Sequence, residues 1–254
     1  MLSKSRISLI DSMSRKKGRD NSGLFLAEGQ KLVSDLINAG MKPNLLVATK
    51  HWSPNCDISR HIPEPEIVPE NDFKKLSHLK TPQNVLALFE QPEWTFDKSK
   101  CNNDLILGLD GIQDPGNMGT ILRIADWFGI YDVVCSIDTA DVFNPKVVQA
   151  TMGAIARVRV HYLNFEQFCE EYKSSGNQIY GTFLEGDNIY SSHLEQKGLI
   201  IIGNEGNGIR PEIEKIVSRK ITIPSFSKEE TYTESLNAGV AAAIVCSEFR
   251  RKRC

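Results

Sequence analysis

Five side chains with group-transfer potential, an arginine, a glutamate, two asparagines and a serine, lie in three separated stretches of this chain. Asn117 and Arg123 belong to DLILGLDGIQDPGNMGTILRIADWFGI (104–130), Glu205 to LIIIGNEGNG (199–208), and Ser235 and Asn237 close ITIPSFSKEETYTESLN (221–237). Each stretch leaves an apolar run through Gly, Pro, Asn or Ser residues. In an open parallel sheet such strand ends gather along one edge, where ligands bind. Gly203, Gly206 and Gly208 allow tight turns and close approach of main chain to a ligand, and Arg123, early in a helix, can reach over the edge towards a phosphate or a sugar hydroxyl. Each residue also has a structural alternative. Arg123 can pair with Asp126 at i+3, Asn117 and Ser235 can cap helices, and the glycines can serve a plain strand-to-helix turn.

The elements that must position these residues read as α/β throughout. Strands are expected near Leu105–Leu109, Asp132–Ile137, Gln178–Phe183, Leu199–Ile202 and Lys220–Ile223. They alternate with helices near Gly119–Phe128, Pro145–Met152, Phe165–Lys173, Pro211–Ser218 and Thr233–Arg250. Strands apolar almost throughout, such as LIII, suit a parallel sheet covered on both faces, and Pro145 and Pro211 fit first-turn positions. Before them, an amphipathic helix over Ser3–Ser14, strands GLFLAEG, NLLVAT and NVLALFE, a helix QKLVSDLINAG ending at Gly40, and a helix NDFKKLSHL capped by Asn71 or Asp72 make a smaller α/β domain. The polar, aperiodic QPEWTFDKSKCNN joins the two. The expected division is residues 1–91, a linker over 92–103, and residues 104–254.

Composition narrows the function classes. At 254 residues with a net charge of −2, the chain has length for a sizeable core, and no apolar run approaches the ~20 residues that cross a bilayer. The N-terminus lacks the apolar core of a secretory signal, so a cytoplasmic enzyme is expected. Six scattered cysteines include no C-x-x-C pair and five histidines show no ligand spacing, so neither a metal site nor a disulfide framework is expected. The glycine run reads G-x-x-G-x-G rather than the dinucleotide fingerprint, and no phosphate-loop motif occurs. Basic residues crowd both ends: Lys4, Arg6, Arg15, Lys16, Lys17 and Arg19 at one, Arg250, Arg251, Lys252 and Arg253 at the other. They are either solvated helix faces or the footprint of a nucleic-acid partner.

Taken in order, the three stretches resemble the signature of the SpoU (TrmH-like) RNA ribose 2′-O-methyltransferases, a branch of the SPOUT class, and NPKVVQATMGAIARVRV (144–160) looks similar too. The resemblance covers roughly Asp104 to Arg251. It implies a SPOUT-type parallel sheet with a trefoil knot, S-adenosylmethionine as cofactor, rRNA or tRNA as partner, and a homodimer formed through this domain, for which the small residues Ala238, Ala241 and Ala242 are candidates. It assigns Arg123 the central catalytic role with Asn117, Glu205, Ser235 and Asn237 around it, and places Gly203, Ile223 and Leu236 in the cofactor pocket. FLAEGQKLV and TPQNVLALFE resemble the RNA-binding domain that many of these enzymes carry at the N-terminus. The chain departs from the pattern at IPSFSKEETYTESLN, where Ser225 replaces a methionine and extra residues lengthen the 225–234 loop. A noncatalytic RNA-binding or ribosome-assembly protein that has kept the fold is the rival reading.

Overall fold

Apolar runs become the inner strands of two separate sheets in the computed structural model, which describes residues 2–53, 62–97, 103–227 and 235–251. In chain order the elements begin with α1 (Lys4–Ser12), α2 (Lys16–Ser22), β1 (Leu24–Glu28), α3 (Gln30–Asn38), β2 (Pro43–Ala48), β3 (Glu66–Ile67), α4 (Glu70–Leu76) and β4 (Val85–Glu90). There follow β5 (Leu105–Asp110), α5 (Pro115–Trp127), β6 (Asp132–Ser136), α6 (Pro145–Thr151), β7 (Arg159–Leu163), α7 (Phe165–Ser174), β8 (Ile179–Asn188), β9 (Gly198–Gly203), α8 (Pro211–Ile216), β10 (Arg219–Thr222) and α9 (Ala238–Arg250). They form two units, Met1–Glu93 with Asp141–Arg157, and Trp94–Ala140 with Val158–Cys254.

In the first unit β4 runs antiparallel to both β1 and β2, and β3 lies parallel to β2 at the edge. Every residue of β1 is buried. Leu24 and Leu26 face a core shared with Ile10, Met13, Phe73 and Leu88, while Phe25 on the other face stacks on Phe89 and packs against Phe143. Phe143 and the buried Val147 and Val148 pack 141–157 here, whereas the division expected from the sequence places these residues in a contiguous 104–254 domain. α4 begins at Glu70 behind Pro69, with no side-chain cap. Neither Asn71 nor Asp72 takes the cap expected of it, because the fixed φ of proline already sets the helix entry. The basic cluster at this end is partly consumed inside the unit. Arg19 is buried, donating to Asp141 Oδ2 at 2.5 Å and to the Met13 carbonyl at 2.7 Å; Arg6 pairs with Glu66, and Lys16 with Asp20.

The second unit is a six-stranded sheet in the order β10-β8-β9-β5-β6-β7, every neighbouring pair parallel. β5 and β9 are central and buried but for Gly203 at the rim of β9. β7 has no counterpart among the strands expected from the sequence: its five residues, Arg-Val-His-Tyr-Leu, keep no strict alternation of polar and apolar side chains at the sheet edge, too short a pattern to separate from the preceding loop. Side chains fix it, with Arg159 and His161 both bonding Asp132 on β6. Phe96, from the expected linker, packs edge-on against His161 and Phe168. β8 runs past its expected end. Its register to β10 shifts between Lys220 and Ile221, where a Cβ on Gly186 would approach the Lys220 carbonyl to 2.7 Å, so a bare backbone is needed at the crossing.

Candidate active site

Because the sheet is parallel, the carboxyl ends of β5, β9 and β10 lie along one edge. β5 and β9 are neighbours with Asp110 level with Gly203. α5 starts at Pro115, and its N-cap is Asp114, whose Oδ1 accepts from the Asn117 amide at 2.8 Å. With a carboxylate in the cap and proline in the first turn, Asn117 is not the cap envisaged from the sequence, and its side chain is free for other bonds. Asn237, not Ser235, caps α9: its Oδ1 accepts from Gly239 at 3.0 Å and Val240 at 3.3 Å, so the helix starts at Ala238 rather than near Thr233.

These two asparagines and Glu205 form one chain. Since Asn237 Oδ1 is occupied by helix amides, its Nδ2 donates to Asn117 Oδ1 at 2.8 Å, and Asn117 Nδ2 in turn donates to Glu205 Oε1 at 2.6 Å. Donor and acceptor ends are matched at every step. Three candidate residues separated by up to 120 positions are thus joined.

The turn carrying Glu205 is tightly specified. Asn204 and Gly208 exchange main-chain bonds at 3.0 and 2.9 Å, Asn204 Oδ1 accepts from Gly206 and Asn207, and Asn204 Nδ2 donates to the Gly111 carbonyl at 2.7 Å. A Cβ on Gly203 would overlap the main chain of Gly208 and Ile209; one on Gly208, at φ +69°, would meet nothing within 4 Å. The turn therefore closes tightly on one side and has open space beside Gly208 on the other. Below it the Asp110 carboxylate, fully buried, accepts from the Arg210 amide at 2.8 Å and from its Nε at 2.6 Å, and Arg210 Nη2 lies 3.4 Å from Asp138. The bond to Asp110 raises the Arg210 pKa, and the Ser136 bond, with the charge of Arg210, lowers that of Asp138.

Arg123 lies on the exposed face of α5 with Thr120, two positions of three from Asn117, at ~9 Å of helical rise from that residue. The Arg123 side chain makes no hydrogen bond or ion pair to another described residue, so it is outside the amide chain. Ser235 and Leu236 are exposed beside the start of α9, Leu236 at 48%. Ile223 follows the last residue of β10 and is half-buried. Residues 228–234, with Lys228, Glu229 and Glu230 of the lengthened loop, lie outside the described residues.

α5 and α9 approach closely, with Gly239 against Thr120. The C-terminal basic cluster is engaged here: Arg250 donates to the Phe128 and Gly129 carbonyls at the end of α5, at 2.8 and 2.9 Å, and Arg251 pairs with Glu248. Ala238 and Ala242 are buried in the unit's own packing, whereas Ala241 is half-buried. Cys135, Cys169 and Cys246 are buried thiols; burial pushes the last two up to about 12, so none is a nucleophile at neutral pH. No group of three or more His, Cys, Asp or Glu able to hold a metal occurs among the described residues.

Sequence reasoning passed over Asp110, Asp114, Asn204 and Arg210. One signal was available: Asp110 is the sole charge in LILGLD, an acid ending a run whose every residue is buried. The pairing of Asp110 with a residue 100 positions away had no local trace.

Residues 104–247 match the SpoU rRNA Methylase family, and residues 4–87 match the MRM3-like substrate binding domain. The chain is 31% identical to the 23S rRNA (guanosine(2553)-2′-O)-methyltransferase RlmP of Bacillus subtilis, over 92% of each chain. Among solved structures, a TrmH-family protein from Porphyromonas gingivalis superposes with a TM-score of 0.84 at 37% identity, covering 98% of both chains. The AdoMet-bound rRNA methyltransferase from Sinorhizobium meliloti superposes at 0.80 with 27% identity, covering 98% of this chain and 95% of that one.

Proposed function

The chain belongs to the SpoU rRNA methylase family, and from that premise we propose that it methylates a ribose 2′-hydroxyl of ribosomal RNA with S-adenosylmethionine as donor. The observation that carries the proposal is the Asn237–Asn117–Glu205 chain, which binds three loops together at the strand ends beside the open side of the Gly203–Gly208 turn.

The residues suit the cofactor. A glycine turn with open space beside Gly208 and an exposed Leu236 offer close approach and an apolar surface, as an adenosine with a sulfonium side arm requires. Gly203, Ile223 and Leu236 would line that pocket. When bound, S-adenosylmethionine supplies an electrophilic methyl group and leaves as the neutral thioether. The chain's task is alignment of the hydroxyl oxygen for in-line attack and removal of its proton. A guanidinium offers hydrogen-bond donors and no acceptor, so Arg123 is not the base. It clamps the RNA phosphate and polarises the hydroxyl, and the proton leaves to a phosphate oxygen or water. Ser235, exposed beside the start of α9, contacts the RNA, while Asn117, Glu205 and Asn237 keep the loops at a fixed spacing.

RNA recognition falls to residues 1–91, which the 92–103 segment joins to the methyltransferase domain within 104–254; the knotted crossing typical of the family belongs to that domain. The protein works as a cytoplasmic homodimer through the α9 side, where Val240 is 49% exposed; sedimentation of a monomer at micromolar concentration would remove that element. No helix among the described residues is long and apolar enough to cross a membrane. The test is incubation with labelled S-adenosylmethionine and separated ribosomal and transfer RNA, followed by mapping of alkali-resistant linkages. One ribosomal nucleotide acquiring label is the expected result; label in transfer RNA alone would move the substrate, and no label in any pool would leave the noncatalytic reading.

A further inference from the structure

A fully buried carboxylate at the end of a central strand is costly unless both its oxygens are satisfied. Asp110 satisfies them with a single residue, taking the amide of Arg210 on Oδ2 and its guanidinium on Oδ1. The same Asp110 is the sheet partner of Gly203 through its main chain. One residue therefore grips both ends of the 204–209 stretch: the start by the β-ladder, the finish by an ion pair. Arg210 is also the N-cap position of α8, where no side chain caps the helix, so the bond to Asp110 fixes where that helix begins. Its remaining reach goes to Asp138 after β6, bringing a third strand end into the brace.

Within this span every bond pushes Glu205 to the tip. Asn204 turns its side chain inward to the Gly111 carbonyl and to the amides of Gly206 and Asn207, and Gly203 lets the two limbs close. Glu205 makes none of these internal bonds; its carboxylate is delivered across the edge to Asn117.

We propose that Asp110 and Arg210 are positioning residues for methyl transfer, an ionic brace beneath the 204–209 turn that acts through Glu205 and the Asn117–Asn237 amides. The inference rests on the function proposed above, since it presumes that this turn borders the reaction. Neither residue touches substrate in this account. Their loss changes the registry of the loops rather than the chemistry, and a displacement of about 1 Å in such a site costs about 100-fold in turnover.

The experiment compares Arg210→Met, Arg210→Lys and Asp138→Asn with wild type in the full-length protein, alone and combined with Glu205→Ala. Thermal unfolding, calorimetric affinity for S-adenosylhomocysteine, and kcat and KM on ribosomal RNA are measured. Arg210→Met is expected to lower kcat about 100-fold with a smaller change in KM for RNA. Arg210→Lys, which keeps the charge but loses the fork to Asp138, recovers part of that loss, and Asp138→Asn costs only a few-fold. In the Glu205→Ala background, where Asn117 Nδ2 has lost its acceptor, the Arg210→Met loss should shrink to a few-fold, because a brace acting through Glu205 has nothing left to position. Full additivity, or wild-type kcat in Arg210→Lys and Arg210→Met, would overturn the proposal. If Arg210→Met does not fold, the same cycle with Arg210→Lys decides. If wild type transfers no methyl group to any RNA, the proposed function fails instead, and homocysteine-analogue affinity still reports separately whether the brace shapes the turn.

Discussion

At the scale of single residues, what distinguishes Arg123 from most of the other described arginines is that they are occupied. Arg19, Arg159, Arg210 and Arg250 each bond carboxylates or carbonyls within their own unit, while Arg123 stands exposed on the face of α5 without such a bond to a described residue. A planar fork with free donors suits a phosphate, and lysine offers only a point charge in its place. Arg123→Lys should therefore lower kcat by at least about 100-fold, the order seen when a transition-state donor is removed, with unchanged affinity for S-adenosylhomocysteine and unchanged thermal stability. Near-normal turnover in that variant would remove Arg123 from the reaction. That Asn117, Glu205 and Asn237 lie beyond strand ends could be read from the sequence, because each follows an apolar run through glycine, proline or asparagine. Which asparagine caps and which bridges could not: Asn117 and Asn237 are equally good caps on paper, and Asp114 decided the matter by occupying the cap of α5 first.

At the scale of elements, the inner strands were legible because burial on both faces demands unbroken apolar runs, and the helix starts were displaced because they depend on single side-chain bonds. β7 shows the limit most clearly. It is held at the sheet edge by Arg159 and His161 bonding Asp132 from the neighbouring strand, a cross-strand arrangement with no local signature. The Asp132 carboxylate is opposed by burial, yet the bonds and charges of Arg159 and His161 outweigh it and hold its pKa well below the ordinary carboxylate range. A group with a depressed folded pKa adds stability above its unfolded pKa of about 3.9, and that stability is lost as pH falls towards the folded value. Asp132→Asn should accordingly be less stable than wild type by about 2 kcal/mol at pH 7, and the gap should narrow steadily below about pH 4. Urea unfolding across that range checks it; a gap that widens on acidification would reverse the assignment.

At the scale of the whole molecule, the basic residues at the two ends of the chain carry less of an RNA footprint than their number suggests. Arg6, Lys16 and Arg19 pair with acids in the first unit, and Arg250 and Arg251 bond within the second, whereas the exposed side chains of Lys4, Arg15 and Lys17 make no hydrogen bond or ion pair to a described residue. Lys252 and Arg253 lie outside the described residues. Charge counting from sequence treats all of these alike, since pairing depends on partners as distant as Asp141 from Arg19. Binding to a polyanion separates the two groups. Each cation that neutralises a phosphate displaces a condensed counterion and adds about 0.7 to 0.9 to the slope of log affinity against log salt. Replacing Lys4, Arg15 and Lys17 together by alanine should then flatten the salt dependence of ribosomal RNA binding by about 2 while leaving the melting temperature within a degree or so of wild type. Arg19→Ala should do the opposite: it strands the Asp141 carboxylate and the Met13 carbonyl, costs roughly 3 kcal/mol of stability, and leaves the salt slope of the protein that remains folded unchanged. If the triple variant binds with the wild-type slope, the free cations of α1 and α2 are an ordinary solvated face, and the phosphate contacts of the first unit must come from its other exposed lysines, Lys50 and Lys80 among them.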